Sequence, residues 1–454
     1  VHTTTERLFL LREERVSRSL LKLGIPTMIG MMTSALYNLV DAYFVGQLGK
    51  SQMGAVSLVF PLGVVILGIG LLFGSGASSY LARLLGDKRY DDASRCASTA
   101  LFTSLGIGAL LVILMLLFLD PILNLLGSTD TIYPYAKEYG TLFILGLMFN
   151  IFNITMNNII SAEGATRVSM FALLSGGVVN MILDPIFINV AAFGVRGAAI
   201  ATLLSRCVTT TFFAVYLLKG MSVFSFRFKN MSPTKALYLE VLKIGIPMLV
   251  FQLLISVSLS ITNSLAGNYG DAAVASLGVV TRIMSLGSMA VFGFMKGYQP
   301  FVGYNYGANH FSRVKESTRK VLLWSTIFCA LSAIVLIAFS GDILAAFSKN
   351  DPSVVAIGSR TLILNAGIFI GFGFQAVYST YFLALGMAKE GALISIGRQG
   401  AFFIPIVFFC SAIFGLNGII AAQPLADLCS FILVVILSKT SSRNLTNSPV
   451  PLPE

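Results

Sequence analysis

Apolar stretches long enough to cross a bilayer as helices recur along the chain, each ended by a short polar or glycine-containing break. They lie at roughly 20-46, 54-80, 95-118, 135-160, 168-190, 195-218, 241-266, 273-300, 317-340, 356-385, 391-413 and 417-438. About 20 apolar residues in a helix match the hydrocarbon thickness of a membrane. The pattern therefore predicts an all-α integral membrane protein of twelve transmembrane helices, here spans 1 to 12.

The pattern also repeats. Leu21-Lys22-Leu23-Gly24-Ile25-Pro26 returns as Leu242-Lys243-Ile244-Gly245-Ile246-Pro247, an offset of 221. The same offset carries Gly46 onto Gly267, Gly49 onto Gly270, Gly76 onto Gly297, Gly86 onto Gly307, and Gly194 and Gly197 onto Gly415 and Gly418. Six spans separate equivalent positions, so the expectation is two six-helix bundles in parallel orientation, a transporter design with binding at the interface between repeats. The resulting organisation is a cytosolic amphipathic lead-in at 1-19, an N-lobe at 20-221, a linker at 222-238, a C-lobe at 239-440 and a tail at 441-454. One chain holds both halves, which predicts a functional monomer.

Composition agrees: 56% of residues are hydrophobic and 11% charged, with a mean hydropathy of +0.84, where a soluble globule would carry about twice that charged fraction. The five cysteines lie in or beside apolar runs without CxxC pairing, which favours core thiols over disulfides or a metal site. Residues 1 to 19 mix basic and acidic side chains and show no cleavable signal. The net charge of +11 is explained by membrane orientation rather than by nucleic acid. With the N-terminus inside, 22 Lys and Arg fall on the cytosolic side and only Lys50, Lys137, Arg196, Lys349 and Arg360 on the other. That bias predicts cytoplasmic termini.

Against this background a carboxylate within a span is costly, at least ~2.5 kcal/mol when uncompensated, and functional by default. Asp41, Asp184 and Asp427 are the acids well inside predicted spans. Asp41 shares a helix face with Tyr37 and Asn38, and Asp184 follows Asn180 by one turn. Pro185 cannot donate to the carbonyl of Met181 and so frees it. Span 4 adds Asn150, Asn153 and Asn157 at i, i+3, i+7, and span 6 adds Thr202, Ser205 and Arg206. Hard oxygens from two carboxylates, an amide and a hydroxyl suit a proton or a small cation such as sodium; the alternative is a hydrogen-bond network that only joins helices. Asp41 maps onto Thr262, and Asp184 onto the region of Ile404 and Pro405, so the C-lobe lacks both acids. Met31, Met181, Phe60 and Phe152 are candidates for a soft cavity, although such residues also serve simply as packing. Arg282, Lys296 and Arg398 are expected to snorkel to an interface. Pro26, about four turns before Asp41, is a candidate hinge, or a static kink inherited with its twin Pro247.

The Gly-Ile-Pro openings of spans 1 and 7, Tyr37-Asn38-x-x-Asp41, Asn180-x-x-x-Asp184-Pro185 and Gly197-Ala198-Ala199-x-Ala201-Thr202 together resemble the multidrug and toxic compound extrusion (MATE) transporters. The lack of acids in spans 7, 8 and 10 resembles their DinF-like branch, with its MepA-like pumps, more than the NorM-like branch. The resemblance covers nearly the whole chain. It implies a secondary antiporter of the plasma (inner) membrane that exports cationic amphipathic compounds in exchange for H+ or Na+, with no cofactor. It further implies a cation site at Asp41, Asn180, Asp184 and Thr202, a neighbouring cavity at Tyr37, Asn38, Asn153 and Asn157, and a bending point at Pro26. Three other readings remain. A flippase for a lipid-linked oligosaccharide, from the same superfamily, would need a cationic cavity for its anionic headgroup. An intramembrane enzyme would need a nucleophile with its base, yet the histidines, His2 and His310, lie outside the spans and no HExxH occurs. A passive channel would not pump against a gradient.

Overall fold

In the computed structural model, which describes residues 4-347 and 351-445, all regular structure is helical. The N-terminal half comprises α1 (Thr4–Arg12), α2 (Val16–Gly46), α3 (Lys50–Gly86), α4 (Tyr90–Leu117), α5 (Leu119–Leu125), α6 (Tyr133–Ala162), α7 (Thr166–Pro185) and α8 (Gly194–Leu218). The C-terminal half comprises α9 (Lys235–Gly267), α10 (Asp271–Gly307), α11 (Phe311–Ala338), α12 (Ser340–Phe347), α13 (Pro352–Ala384), α14 (Ala388–Ile396), α15 (Phe403–Phe414) and α16 (Leu416–Leu445). Twelve spans among the described residues are long and apolar enough to cross a membrane: α2, α3, α4, α6, α7 with a π-helical extension, α8, and their six counterparts, of which α14 and α15 form one interrupted span. Several exceed the sequence-based ranges. The second span runs over 50-86 and the eighth over 271-307, because polar residues at helix ends continue the hydrogen-bond ladder past the apolar stretch. Residues 1-3 of the lead-in, Lys349, and residues 446-454 of the tail lie outside the described residues.

The 221-residue repeat is written into the backbone. Left-handed conformations occur at Gly49 and Gly270, at Lys88 and Asn309, and at Gly194 and Gly415, three pairs at that offset. Gly86 and Gly307 also mirror one another. A Cβ on Gly86 would sit 2.0 Å from the Tyr304 carbonyl oxygen, and one on Gly307 would sit 2.1 Å from that of Arg83. Tyr304 and Arg83 are themselves equivalents, so α3 and α10 cross about a local two-fold axis where only glycine fits.

All this contact lies on the side of the membrane that carries the basic excess. There one hydrophobic core draws Leu20, Leu23, Leu81 and Leu84 from the first half together with Val241, Tyr298, Phe301 and Phe382 from the second. Toward the opposite side the core divides into a cluster made only of first-half residues and three made only of second-half residues. The halves thus join at the basic side and part toward the other. Polar bonds reinforce the joint: Arg83 pairs with Glu240 at 3.1 Å, Thr103 meets the Tyr238 hydroxyl at 2.8 Å, and Arg313 donates to the Glu14 carbonyl at 2.9 Å.

Glu163, in the turn between α6 and α7, is fully buried and ties the lead-in helix and the linker to the first half. It accepts from the Tyr216 hydroxyl, from Ser222 Oγ at 2.8 Å and from the Val223 N–H at 2.7 Å, with the Arg7 guanidinium 3.5 Å away. Burial pushes this carboxyl above the ordinary 4.5, with Tyr216, Arg7, Val223 and Ser222 pulling it back. Because the folded protein holds this proton more tightly than the unfolded chain does, the group's contribution to stability falls as pH rises from the ordinary value through the folded one. Thermal unfolding of Glu163→Gln measured from pH 4 to 8 should therefore vary less with pH than that of the wild type.

Candidate functional site

The two acids that carry the sequence argument are assembled by the packing of α2 on α7. Gly177 makes this contact possible, since a Cβ there would lie 2.9 Å from the methyl of Thr33 and 3.4 Å from the ring of Tyr37. One and two turns farther along α7 stand Asn180, 2% exposed, and Asp184, completely buried. Asn180 Nδ2 donates to Asp184 Oδ1 at 3.3 Å, while Asn180 Oδ1 and Asp184 Oδ2 are buried without a hydrogen-bond partner. Asp41, one turn beyond Tyr37 on α2, likewise has its Oδ1 buried without one. After Pro185 the chain passes into a π-helical turn, Ile186–Val190. This is the loosened geometry expected where a proline interrupts the ladder, and such turns gather at functional sites.

Arg206 and Tyr139 complete the surroundings. Asp41 lies within electrostatic reach of Arg206, and Asp184 within reach of Asp41. The buried phenol of Tyr139 lies within electrostatic reach of Asp41, Arg206 and Asp184. Arg206 is held over the ring of Phe143, 4.7 Å from its centroid, and donates to the Phe143 carbonyl at 3.4 Å. Thr202, half-buried, precedes Arg206 by one turn on α8. On sequence Arg206 is grouped with Thr202 and Ser205 on span 6, whereas Tyr139 is not singled out. The four-residue step from Thr202 to Arg206 was the available signal for the first; nothing local marked the second.

Other candidates are placed differently. Asn38 is exposed, and its amide N–H turns back to the Ser34 carbonyl at 2.8 Å instead of joining Asp41. Asn153 is consumed on both sides, donating to the Arg206 carbonyl at 3.0 Å and accepting from Thr210 at 2.9 Å. Asn157 accepts from Ser169 and is buried between α6 and α7. These two asparagines therefore bridge neighbouring helices. Met31, Met181 and Phe152 are half-buried, Phe152 against the main core, whereas Phe60 is 63% exposed. Pro26 is buried within a continuous α2, and the Lys22 carbonyl it would leave without an N–H is met by the Thr166 hydroxyl at 3.4 Å.

The second half neutralises its own acid. Arg398 and Asp427 form a two-pronged pair at 2.7 and 3.3 Å, Gln423 donates to the same carboxylate at 2.8 Å, and the guanidinium stacks over Phe372. Snorkelling of Arg398 is thereby corrected: it lies in a π-helical turn, Gly397–Ala401, whose extra residue per turn aims it at α16. The pair is partly buried, with side chains 16% and 13% exposed, so removing one partner should cost less than the about 3–5 kcal/mol of a fully buried pair, whereas replacing both with apolar groups is close to neutral. Arg398→Met should accordingly lower the unfolding temperature, and adding Asp427→Leu should restore most of it.

The MatE family model matches the chain twice, over residues 26–186 and 247–409. The chain belongs to the MatE family. The two matches begin 221 residues apart, at Pro26 and Pro247, the register of the internal repeat. The first contains Asp41, Asn180 and Asp184, and Thr202 lies beyond it. The multidrug export protein MepA of Staphylococcus haemolyticus is 29% identical over 440 residues, covering 96% of this chain and 97% of that protein. Among solved structures, the outward-facing conformation of a multidrug resistance MATE family transporter of the MOP superfamily superposes with a TM-score of 0.92 at 26% identity, covering 98% and 100% of the two chains. A MOP superfamily transporter from Pyrococcus furiosus gives 0.91 at 26% identity over the same shares. The twelve-helix MATE architecture is thus shared along the whole length of the chain, and these relatives are transporters rather than enzymes.

Proposed function

We propose that this protein is a secondary active multidrug exporter which moves cationic, amphipathic compounds out of the cell in exchange for H+ or Na+, by alternating access of its two halves. The observation that carries the reading is the set of buried oxygens without partners, Asp41 Oδ1, Asp184 Oδ2 and Asn180 Oδ1. Unpaired acidic oxygens inside a membrane favour an incoming cation or proton over an apolar ligand. Asp41 and Asp184 are the ion-accepting groups, Asn180 and Thr202 supply neutral oxygens, and Arg206 limits how much negative charge the site develops. Tyr37, Met31, Phe152 and Met181 form the adjoining wall for the organic cation.

The split core supports the transport cycle. The positive-inside rule places the joined, basic side in the cytoplasm of the plasma membrane, so the halves open outward. In that state an ion enters the N-half and neutralises the acids, and the organic cation loses its electrostatic hold. Pro26 gives α2 a point at which to respond, since the Thr166 hydroxyl bond to the Lys22 carbonyl is weaker and longer than the backbone bond it replaces. The testing experiment is efflux of tetraphenylphosphonium from proteoliposomes, with a pH gradient and a sodium gradient imposed separately. Efflux driven by one of them is expected. Passive equilibration under both would contradict the proposal, and competition by a lipid-linked oligosaccharide alone would favour a flippase.

A further inference from the structure

A large cavity lies away from the acid site, on the outer surface where α7 and α8 run side by side. It encloses about 910 Å³ and extends from the basic side into the membrane-spanning region. One wall is the stripe Phe171, Ser175 and Val179, at four-residue spacing on α7. Phe171 is 51% exposed, so the groove opens outward. Its mouth is basic: Arg167 in the first turn of α7 and Lys219 just past the end of α8 are both exposed, and Lys22 on α2 stands beside them, paired with Glu14 at 3.0 Å.

These features specify an occupant. A wall of this kind along transmembrane helices matches an acyl chain, and basic side chains at the ends of neighbouring spans sit at the depth of lipid phosphates. The basic mouth repels the organic cations assigned to the acid site. A small free anion would find its counter-charges at the mouth and gain nothing from the apolar length. We propose that this groove binds one anionic phospholipid from the leaflet on the basic side, with its phosphate between Arg167 and Lys219 and an acyl chain along Phe171 and Val179. The site is distinct from Asp41 and Asp184 and does not rest on the export reading.

The test is native mass spectrometry of the purified full-length protein with phosphatidylglycerol and phosphatidylcholine of identical acyl chains. Wild type should retain phosphatidylglycerol about tenfold or more over phosphatidylcholine, the effect of two basic contacts. Arg167→Gln with Lys219→Gln should reduce it to the phosphatidylcholine level. Ser175→Trp, which fills the groove, should lose both lipids, and Lys229→Gln with Lys235→Gln, on the same side but outside the groove, should behave as wild type. Cooperative thermal unfolding checks each fold; if Ser175→Trp fails that check, the surface double variant decides alone. Equal retention of the two lipids would overturn the proposal, as would an unchanged preference in the Arg167/Lys219 variant. Displacement of the lipid by inorganic phosphate would mark a free-anion site, and displacement by tetraphenylphosphonium a drug site; either also overturns it.

Discussion

Asp41→Asn is expected to abolish ion-driven export while making the protein no less stable. The substitution keeps the shape of the side chain and removes its charge. The carboxylate has a buried oxygen without a partner, and an unsatisfied buried polar group costs about 1–3 kcal/mol, more when charged. Removing the charge relieves that cost, so the unfolding temperature should stay level or rise. Transport should fall to the passive background, because a neutral amide cannot alternate between a charged form that holds an organic cation and a neutral form that releases it. This opposite movement of stability and activity separates a coupling role from a structural one: a packing acid would lose stability and activity together. Thermal unfolding and gradient-driven efflux measured on the same preparation provide the comparison.

The second large effect is expected where the halves join. At the crossing of α3 and α10 the neighbouring atoms are backbone carbonyls, which cannot rotate away, and the gaps of 2.0 and 2.1 Å are far below contact distance. Ala at Gly86 or Gly307 therefore has to push the halves apart. Overpacking of this kind costs about 1–3 kcal/mol, and only the state joined at the basic side bears it. Each substitution should shift the conformational equilibrium away from that state by roughly 5- to 150-fold. Spin labels at Lys88 and Asn309, equivalent positions at the ends of the two helices, should report longer separations by electron–electron resonance, and export should slow. Unchanged separations in both variants would show that the crossing can relax without opening the joint.

The architecture was legible because its determinants are local. Apolar length marked the spans, and the glycines at Gly49, Gly194 and their partners kept the register, since these are turns where positive φ excludes most other residues. Asp41, Asn180 and Asp184 were legible for an energetic reason: a membrane makes such residues expensive wherever they sit, so their presence alone is informative. Helical periodicity told less about direction. It placed Asn38 on the face of Asp41 but could not foresee that its amide would bond to the Ser34 carbonyl, or that Asn153 would be used up between Arg206 and Thr210. Arg398 was misplaced because a π-helical turn changes the angular position of every residue after it, and Gly397-Arg398-Gln399 carries no proline to announce one. Tyr139 comes within electrostatic reach of the acids only through the placement of α6, which no spacing rule contains.

The central claim is that proton or sodium and the organic cation compete for the N-half carboxylates. Its most direct test is equilibrium binding of tetraphenylphosphonium to the purified protein across pH 5 to 8 and across sodium concentrations, for wild type and Asp41→Asn. Wild-type affinity should weaken as the pH falls or as sodium rises, and the variant should bind weakly and without that dependence. Wild-type binding independent of both ions would contradict the account.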